Sequence, residues 1–342
     1  MRISGFTMMN IRHEVSLLPY NTFGISATAS VFAESDHVVE LADFLRSCSK
    51  PYDALVLGGG SNILFVSDRC NTVVHPLMKG IELIDETNDD VLVRAGAGEI
   101  WDDFVSWCVE NHYAGVENLS YIPGTVGACP IQNIGAYGAE AKDTIETVET
   151  IEKATGETIT FNKQQCLFDY RDSFFKKNKG KYLITAVQFR LSKRFEPNVK
   201  YAGLEAELSD NADITPKTIR QAIITIRRRK FPNPAILGNA GSFFKNPTID
   251  AQKAREITLL HPQAPLYSAS QDYWKISAAW LIQQCGWTGK RDGHVGTHEW
   301  HPLIIVNYGG ANGKDVLHFS RNIIESVNEK FGVDLQPEVN IV

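Results

Sequence analysis

Two glycine-rich segments constrain this chain more than any other feature. One is Gly58-Gly59-Gly60-Ser61-Asn62; the other runs from Pro123-Gly124-Thr125-Val126-Gly127 through Cys129-Pro130-Ile131-Gln132-Asn133 to Ile134-Gly135-Ala136-Tyr137-Gly138. The first follows residues 54–57, an apolar tetrad that reads as a buried strand. Its side-chain-free amides could therefore approach and hydrogen-bond a phosphate, with Ser61 and Asn62 adding polar contacts. It is not a Rossmann fingerprint, because Ile63 stands where the third glycine belongs, and no Gly-Lys-Ser/Thr ending makes it a P-loop. A tight turn accounts for the same five residues equally well. The second segment asks for more. Its apolar residues imply burial, and a buried irregular backbone needs hydrogen-bond partners, which a cofactor's phosphates and ring edges can supply. Two such loops bracketing one domain favour a large, extended nucleotide cofactor.

At 342 residues the chain exceeds what a single core usually fills, so two or three domains are expected. A net charge of −6 offers no broad positive field for sequence-independent nucleic-acid binding. The six cysteines (Cys48, Cys70, Cys108, Cys129, Cys166, Cys285) are scattered and form no C-x-x-C pair. Reduced thiols are predicted, with no metal centre and no dithiol redox site. Arg2, Asn10, Arg12, His13 and Glu14 break the amino end, leaving no stretch for a signal peptide, and no apolar run reaches membrane-spanning length. The expectation is a soluble cytoplasmic protein.

Periodicity supplies the elements. Leu41, Phe44 and Leu45 form a helical stripe, and Trp101, Phe104, Val105 and Cys108 repeat at i, i+3, i+4, i+7. Residues 91–95 and 182–191 read as strands, and Thr155-Gly156 joins a predicted hairpin. Thr215-Pro216 supplies an N-cap and an N1 proline for a helix carrying Ile219, Ala222, Ile223 and Ile226. Gly286 and Gly332 stand where C-caps belong, after helical patterns over 276–285 and 316–331. The fold class is α+β, with a more helical C-terminal domain and an extended tail over 335–342.

The glycine segments together resemble the UDP-N-acetylenolpyruvoylglucosamine reductase family, of the FAD-binding superfamily typified by vanillyl-alcohol oxidase. The likeness continues through Asn21-Thr22-Phe23-Gly24, Tyr170-Arg171-Asp172-Ser173, Asn239-Ala240-Gly241-Ser242-Phe243-Phe244-Lys245-Asn246-Pro247 and Pro337-Glu338-Val339. It spans nearly the whole chain in order. The resemblance implies a two-subdomain FAD-binding region plus a C-terminal α+β substrate domain: residues 1–78 joined by 334–342, then 79–213, then 214–333. It implies non-covalent FAD held by Gly58, Gly59, Gly60, Ser61, Asn62, Pro123, Gly124, Thr125, Gly127, Cys129 and Ile131, with NADPH as co-substrate and a monomeric enzyme. Ala128-Cys129 replaces the small hydroxyl or glycine residues of many relatives, and Cys129 also suits a buried structural thiol.

The same resemblance gives the catalytic set. Ser242 would donate a proton to C2 of the enolpyruvyl group after hydride reaches C3, chemistry that suits a positioned hydroxyl in a dry site. Read alone, it is a loop serine. Arg171 would hold the carboxylate with its planar, permanently charged fork; its plainer role is an ion pair with Asp169 or Asp172. Glu338 would join the protonation network, or be a solvated tail residue. Substrate diphosphate contacts fall to Tyr137, Tyr201, Arg227, Lys230 and Asn246. The run Arg227-Arg228-Arg229-Lys230 also suits the negative end of its helix. Tyr201, in Lys200-Tyr201-Ala202-Gly203-Leu204, matches the mobile tyrosine loop of the longer subtype, a segment with little apolar content to pin it. His301 falls near a further substrate position, or is structural. The expected reaction reduces UDP-GlcNAc-enolpyruvate to UDP-N-acetylmuramate. The rivals are another FAD oxidoreductase on this fold and a nucleotide-binding module without catalysis.

Overall fold

The computed structural model describes residues 9–209 and 213–342, and the first eight residues of the amino-terminal segment, with Met1 and Met8, lie outside them. By internal packing the chain forms two compact units. The first runs to Ser16 and continues with Thr28–Gly59 and Arg69–Arg227; the second comprises Leu17–Ala27, Gly60–Asp68 and Arg228–Val342.

The first unit holds two principal sheets. One has the strand order Asn10–Ser16, Thr28–Ser35, Arg69–Pro76, Leu55–Val56, antiparallel at the first pairing and parallel thereafter. The other is antiparallel, ordered Thr158–Asn162, Ile145–Glu152, Tyr182–Ser192, Asp90–Gly96, Ile81–Glu86. Alternate residues of Asp90–Gly96 are buried, as a half-covered strand requires. On this sheet the helix Trp101–Glu110 buries Trp101, Phe104, Val105 and Cys108. The Phe104 and Phe189 rings lie 4.6 Å apart, and the Trp101 indole N–H donates to the Leu119 carbonyl at 2.9 Å. The Thr155-Gly156 hairpin forms as expected.

The helix Pro216–Lys230 begins where proline costs no hydrogen bond, with the Thr215 Oγ1 accepting from the Thr218 amide at 3.1 Å. Its buried face, Ile219, Ala222, Ile223 and Ile226, packs on Leu204, Leu208 and Tyr137. Arg220 forks onto the Asp102 carboxylate at 2.6 and 3.0 Å, fastening this helix to the start of Trp101–Glu110.

The second unit contains an antiparallel sheet ordered Gly238–Ser242, Ile304–Asn307, Val295–Thr297, Arg291–Asp292, and a second ordered Thr248–Asp250, Tyr273–Ile276, Leu266–Ser268. The tail strand Asn340–Ile341 pairs in parallel with Ile63–Leu64. Helices Ala251–Leu260, Ala278–Gln284 and Gly313–Phe331 complete it, the last opened by an Asn312 capping box and closed by Gly332. The region after residue 213 is therefore mixed but more helical than the region before it, as expected. Its strands are two to five residues long, too short for alternation to register. The helix expected over 276–285 begins at Ala278, because Ile276 ends a strand.

Candidate active site

Within the first unit the two glycine segments meet backbone to backbone. A β-carbon on Gly59 would lie 3.0 Å from the Gly124 Cα, and one on Gly58 would lie 2.7 Å from the Thr125 Oγ1. The second segment is strung along the mouth of the antiparallel sheet. The amides of Val126 and Gly127 donate to the carbonyls of Glu99 and Ala97 at 2.8 and 2.9 Å, and the Gly124 carbonyl accepts from Trp101 at 3.1 Å. Side-chain-free main chain from both loops is thus gathered at one place, which fits a diphosphate held by amide donors. Pro123 and Ile131 belong to the same run, and the Ile131 carbonyl accepts from the Ser173 hydroxyl at 2.6 Å. Cys129 is fully buried and its thiol is pushed well above its ordinary range by that burial, which disfavours the thiolate a nucleophile needs.

The remainder of the first loop belongs to the second unit. Gly60 takes φ +59, where a β-carbon would fall 1.9 Å from the Tyr20 carbonyl oxygen, so only glycine fits. The Thr22 amide donates to the Gly60 carbonyl at 3.1 Å, giving Asn21-Thr22-Phe23-Gly24 a clear task beside Ser61 and Asn62.

Arg171 lies in the first unit at a two-residue turn closed by reciprocal amide bonds between Asp169 and Asp172, each 3.1 Å. Its φ is +52, a conformation few residues with a β-carbon adopt. The guanidinium donates through Nη2 to the Gly135 carbonyl at 2.6 Å, inside the second glycine segment. Asp172 instead faces Lys177 at 3.3 Å and caps the Ser173 amide, while Asp169 accepts from the Tyr170 amide. Two residues on from Gly135, Tyr137 stacks edge to face with Tyr201, ring centres 5.2 Å apart at 73°. The charge of Arg227 acts on the Tyr137 hydroxyl, and Arg227 donates through Nε to the Tyr121 carbonyl at 3.0 Å. Burial raises the Tyr137 hydroxyl pKa, against the opposing pull of Arg227. Tyr201 is the N-cap of the helix Ala202–Leu208, whose Leu204 and Leu208 are buried. The segment after Tyr201 thus has two apolar anchors one helical turn apart, contrary to the expectation from the sequence.

Ser242 ends the strand Gly238–Ser242 in the second unit, just after a register shift that begins at Asn239. Asn239 is buried and builds that irregularity: its Oδ1 accepts from the Gly241 amide at 3.0 Å, and its amide group donates to the carbonyls of Leu237 and Pro232. Phe243 and Phe244 fill the core behind the serine. The Glu338 amide donates to the Phe243 carbonyl at 2.7 Å, and Asn62 Nδ2 donates to the Glu338 carbonyl at 3.4 Å. Ser242, Glu338 and Asn62 are thereby brought into one neighbourhood. Asn246 spends its oxygen on the Ala278 amide at 3.0 Å, at the start of a helix. His301 stacks near Phe231, and its pKa falls to about 4 through burial first and then the charges of Lys230 and His298. The basic run is divided: Arg227 joins the tyrosines, Arg228 and Arg229 are exposed, and Lys230 faces His301.

Residues 233–342 match the C-terminal domain of UDP-N-acetylenolpyruvoylglucosamine reductase, and residues 29–162 match an FAD-binding domain. A UDP-N-acetylenolpyruvoylglucosamine reductase of Amoebophilus asiaticus is 46% identical over 338 residues, covering 98% of this chain and 100% of its own. One from Bacteroides fragilis is 44% identical over 335 residues, covering 97% and 100%. The crystal structure of the Thermus caldophilus enzyme superposes with a TM-score of 0.69 at 23% identity, over 97% of this chain and 99% of that one, a likeness of fold. With relatives this similar along nearly its full length, the chain belongs to the UDP-N-acetylenolpyruvoylglucosamine reductase family of FAD-dependent oxidoreductases.

Proposed function

We propose that this chain carries out the NADPH-dependent reduction of UDP-N-acetylglucosamine enolpyruvate to UDP-N-acetylmuramate, in peptidoglycan precursor synthesis. The observation that carries the proposal is the tie between Glu338 and Phe243 at 2.7 Å, which sets a carboxyl residue beside the strand end that presents Ser242. FAD, when bound, would supply the two-electron chemistry that links NADPH to C3 of the enolpyruvyl group. The loops of residues 58–62 and 123–127, with Cys129 and Ile131, would hold it without a covalent bond.

Each residue then has a separate task. The Arg171 fork binds the substrate carboxylate and stabilises the enolic form that builds up as C3 is reduced. Ser242 Oγ gives its proton to C2, and Glu338 orients or restores that proton. Tyr137, Tyr201, Arg227, Lys230 and Asn246 bind the diphosphate, with His301 at its margin as a neutral imidazole. In this division residues 1–78 with 334–342 and residues 79–213 bind the cofactor, and residues 214–333 bind substrate. Among the described residues no helix is long and apolar enough to cross a membrane, and the six cysteines are free thiols; a monomer working in the cytoplasm suits both. Anaerobic reduction of the purified yellow protein by NADPH, followed by enolpyruvyl substrate, tests the reaction. Return of the oxidised flavin absorbance without oxygen is expected; a flavin that only oxygen reoxidises would mark a different oxidoreductase.

A further inference from the structure

Arg171 sits in a left-handed conformation that a residue with a β-carbon seldom adopts, so ties from outside the turn help to hold it there. The second glycine segment does so at three alternate residues. Ile131 offers its carbonyl to the Ser173 hydroxyl at 2.6 Å, Asn133 offers its side-chain amide to the Asp169 carbonyl at 3.0 Å, and Gly135 offers its carbonyl to the Arg171 guanidinium at 2.6 Å. The head of the arginine can lie there because position 135 has no side chain: a β-carbon would come within 2.9 Å of Arg171 Nη1.

Asn133 is the middle of these ties and the most committed. It is 0% exposed with φ +44. Its Nδ2 also donates to Glu140 Oε2 at 2.9 Å, and its Oδ1 accepts from the Lys142 amide at 2.9 Å. Both amide hydrogens and the oxygen are thus engaged, which fixes the plane of the side chain. On the other side of the turn, Lys176 Nζ donates to the Arg171 carbonyl at 2.9 Å. The ammonium thereby grips the peptide unit whose rotation would swing the guanidinium away.

We infer that Asn133 and Lys176 are positioning residues for Arg171, setting the direction of its guanidinium from the two ends of the Asp169–Asp172 turn. This rests on the role proposed for Arg171 as the carboxylate clamp. It assigns to the buried amide of the glycine segment a task in the substrate half-reaction, separate from holding the cofactor. A clamp displaced by about an ångström loses much of its effect on rate, on the order of 10²-fold.

The test is transient kinetics on the FAD-loaded enzyme with Asn133→Ala, Lys176→Met and Arg171→Lys. Lys176→Met keeps the aliphatic stem at a partly exposed position and decides the matter if Asn133→Ala does not fold. Flavin reduction by NADPH should stay within about twofold of the parent, while reoxidation by enolpyruvyl substrate should fall at least about tenfold, both expectations following from the size of that misplacement effect. On the Arg171→Lys background, Lys176→Met should add almost nothing, since its effect passes through the arginine. Native reoxidation in Lys176→Met, equal slowing of both half-reactions, or additive losses in the double variant would overturn the assignment. If Arg171→Lys itself reoxidises at the native rate, the underlying clamp role fails instead.

Discussion

The amide of Glu338 donates to the carbonyl of Phe243 at 2.7 Å, while the Phe243 amide donates to Leu303 at 2.8 Å. Phe243 is therefore a rung between the tail and Leu303, just ahead of the strand Ile304–Asn307, and Ser242 is the residue just before that rung. Further on, the bridge of Phe244 with Pro337 and the bond from the Lys245 amide to the Gln336 carbonyl at 3.0 Å continue the pairing. The tail's place beside the serine is set by main chain, so changing either side chain should leave the geometry intact. Ser242→Ala should keep FAD and NADPH-driven reduction while slowing substrate reduction by roughly 10²-fold or more, the usual cost of a lost general acid. Glu338→Gln should slow the same half-reaction. The double variant should lose less than the product of the two, because the pair acts as a unit. Loss of NADPH reduction in either would contradict these roles.

Gly60 offers a stability prediction with an internal control. Gly60 and Gly241 both have positive φ, +59 and +71, but a β-carbon at Gly60 would strike the Tyr20 carbonyl at 1.9 Å, whereas nothing lies within 4 Å at Gly241. Gly241→Ala should cost only the left-handed penalty, roughly 1–2 kcal/mol. Gly60→Ala must also displace backbone, adding overpacking of about 1–3 kcal/mol, and should lower flavin content per protein. Urea unfolding with the 450 nm absorbance reads both; equal losses would refute the contrast.

The His301 imidazole should make stability fall in acid. Its folded pKa is about 4, below the ordinary 6.5, because burial and the neighbouring Lys230 and His298 disfavour the cation. Between those values the unfolded chain binds the extra proton, so stability is full above about pH 6.5 and is lost as pH falls toward 4. The loss attributable to this group is on the order of 3 kcal/mol. The groups facing His301 in this account are Lys230 and His298, with Phe231 against its ring. His301→Gln should flatten the pH 4–6.5 slope of unfolding free energy; an unchanged slope would show that the imidazole is not held neutral by the fold.

Much of this was legible because the signals were local. Thr215-Pro216 and Gly332 bracket helices that form where their caps stand, and the eleven-residue strand Tyr182–Ser192 is long enough to be read by composition. Backbone chemistry marks the first glycine segment equally as a ligand loop or a tight turn, and its Gly58 and Gly59 lie against Thr125 and Gly124 of the second. What escaped depends on partners remote in sequence. Asp102 and Arg220 pair across 118 positions, and nothing near either residue announces the other. Lys153 follows a strand with nothing nearby to mark its burial, yet it is 1% exposed, donates to the Ala54 carbonyl at 2.7 Å, and has its pKa lowered to about 8 by burial. Asn133 and Lys176 carry no local signal for the same reason, since their partners lie in a turn near residue 170.

Tyr201 is where local sequence misled, and it gives the sharpest remaining test. Asn198 before it and Ala202-Gly203 after it suggest an unpinned loop, but Leu204 is fully buried and the Tyr201 ring packs on Tyr137 while remaining 48% exposed. The ring is therefore already docked on one side and open on the other, a posture suited to closing over a ligand without a large rearrangement. Edge-to-face contact of this kind is worth about 0.5–1.5 kcal/mol, small enough for a bound substrate to compete with. Tyr201→Phe retains the ring contact and loses only the hydroxyl, so it should raise the substrate KM with little change in NADPH reduction or in Tm. Tyr201→Ala loses both and should also lower Tm by a few degrees, in line with that contact energy. Hydrogen exchange over residues 200–204 separates a lid from a fixed aromatic: a lid gains protection when UDP-linked substrate saturates the enzyme, whereas a segment equally protected in both states is permanent packing.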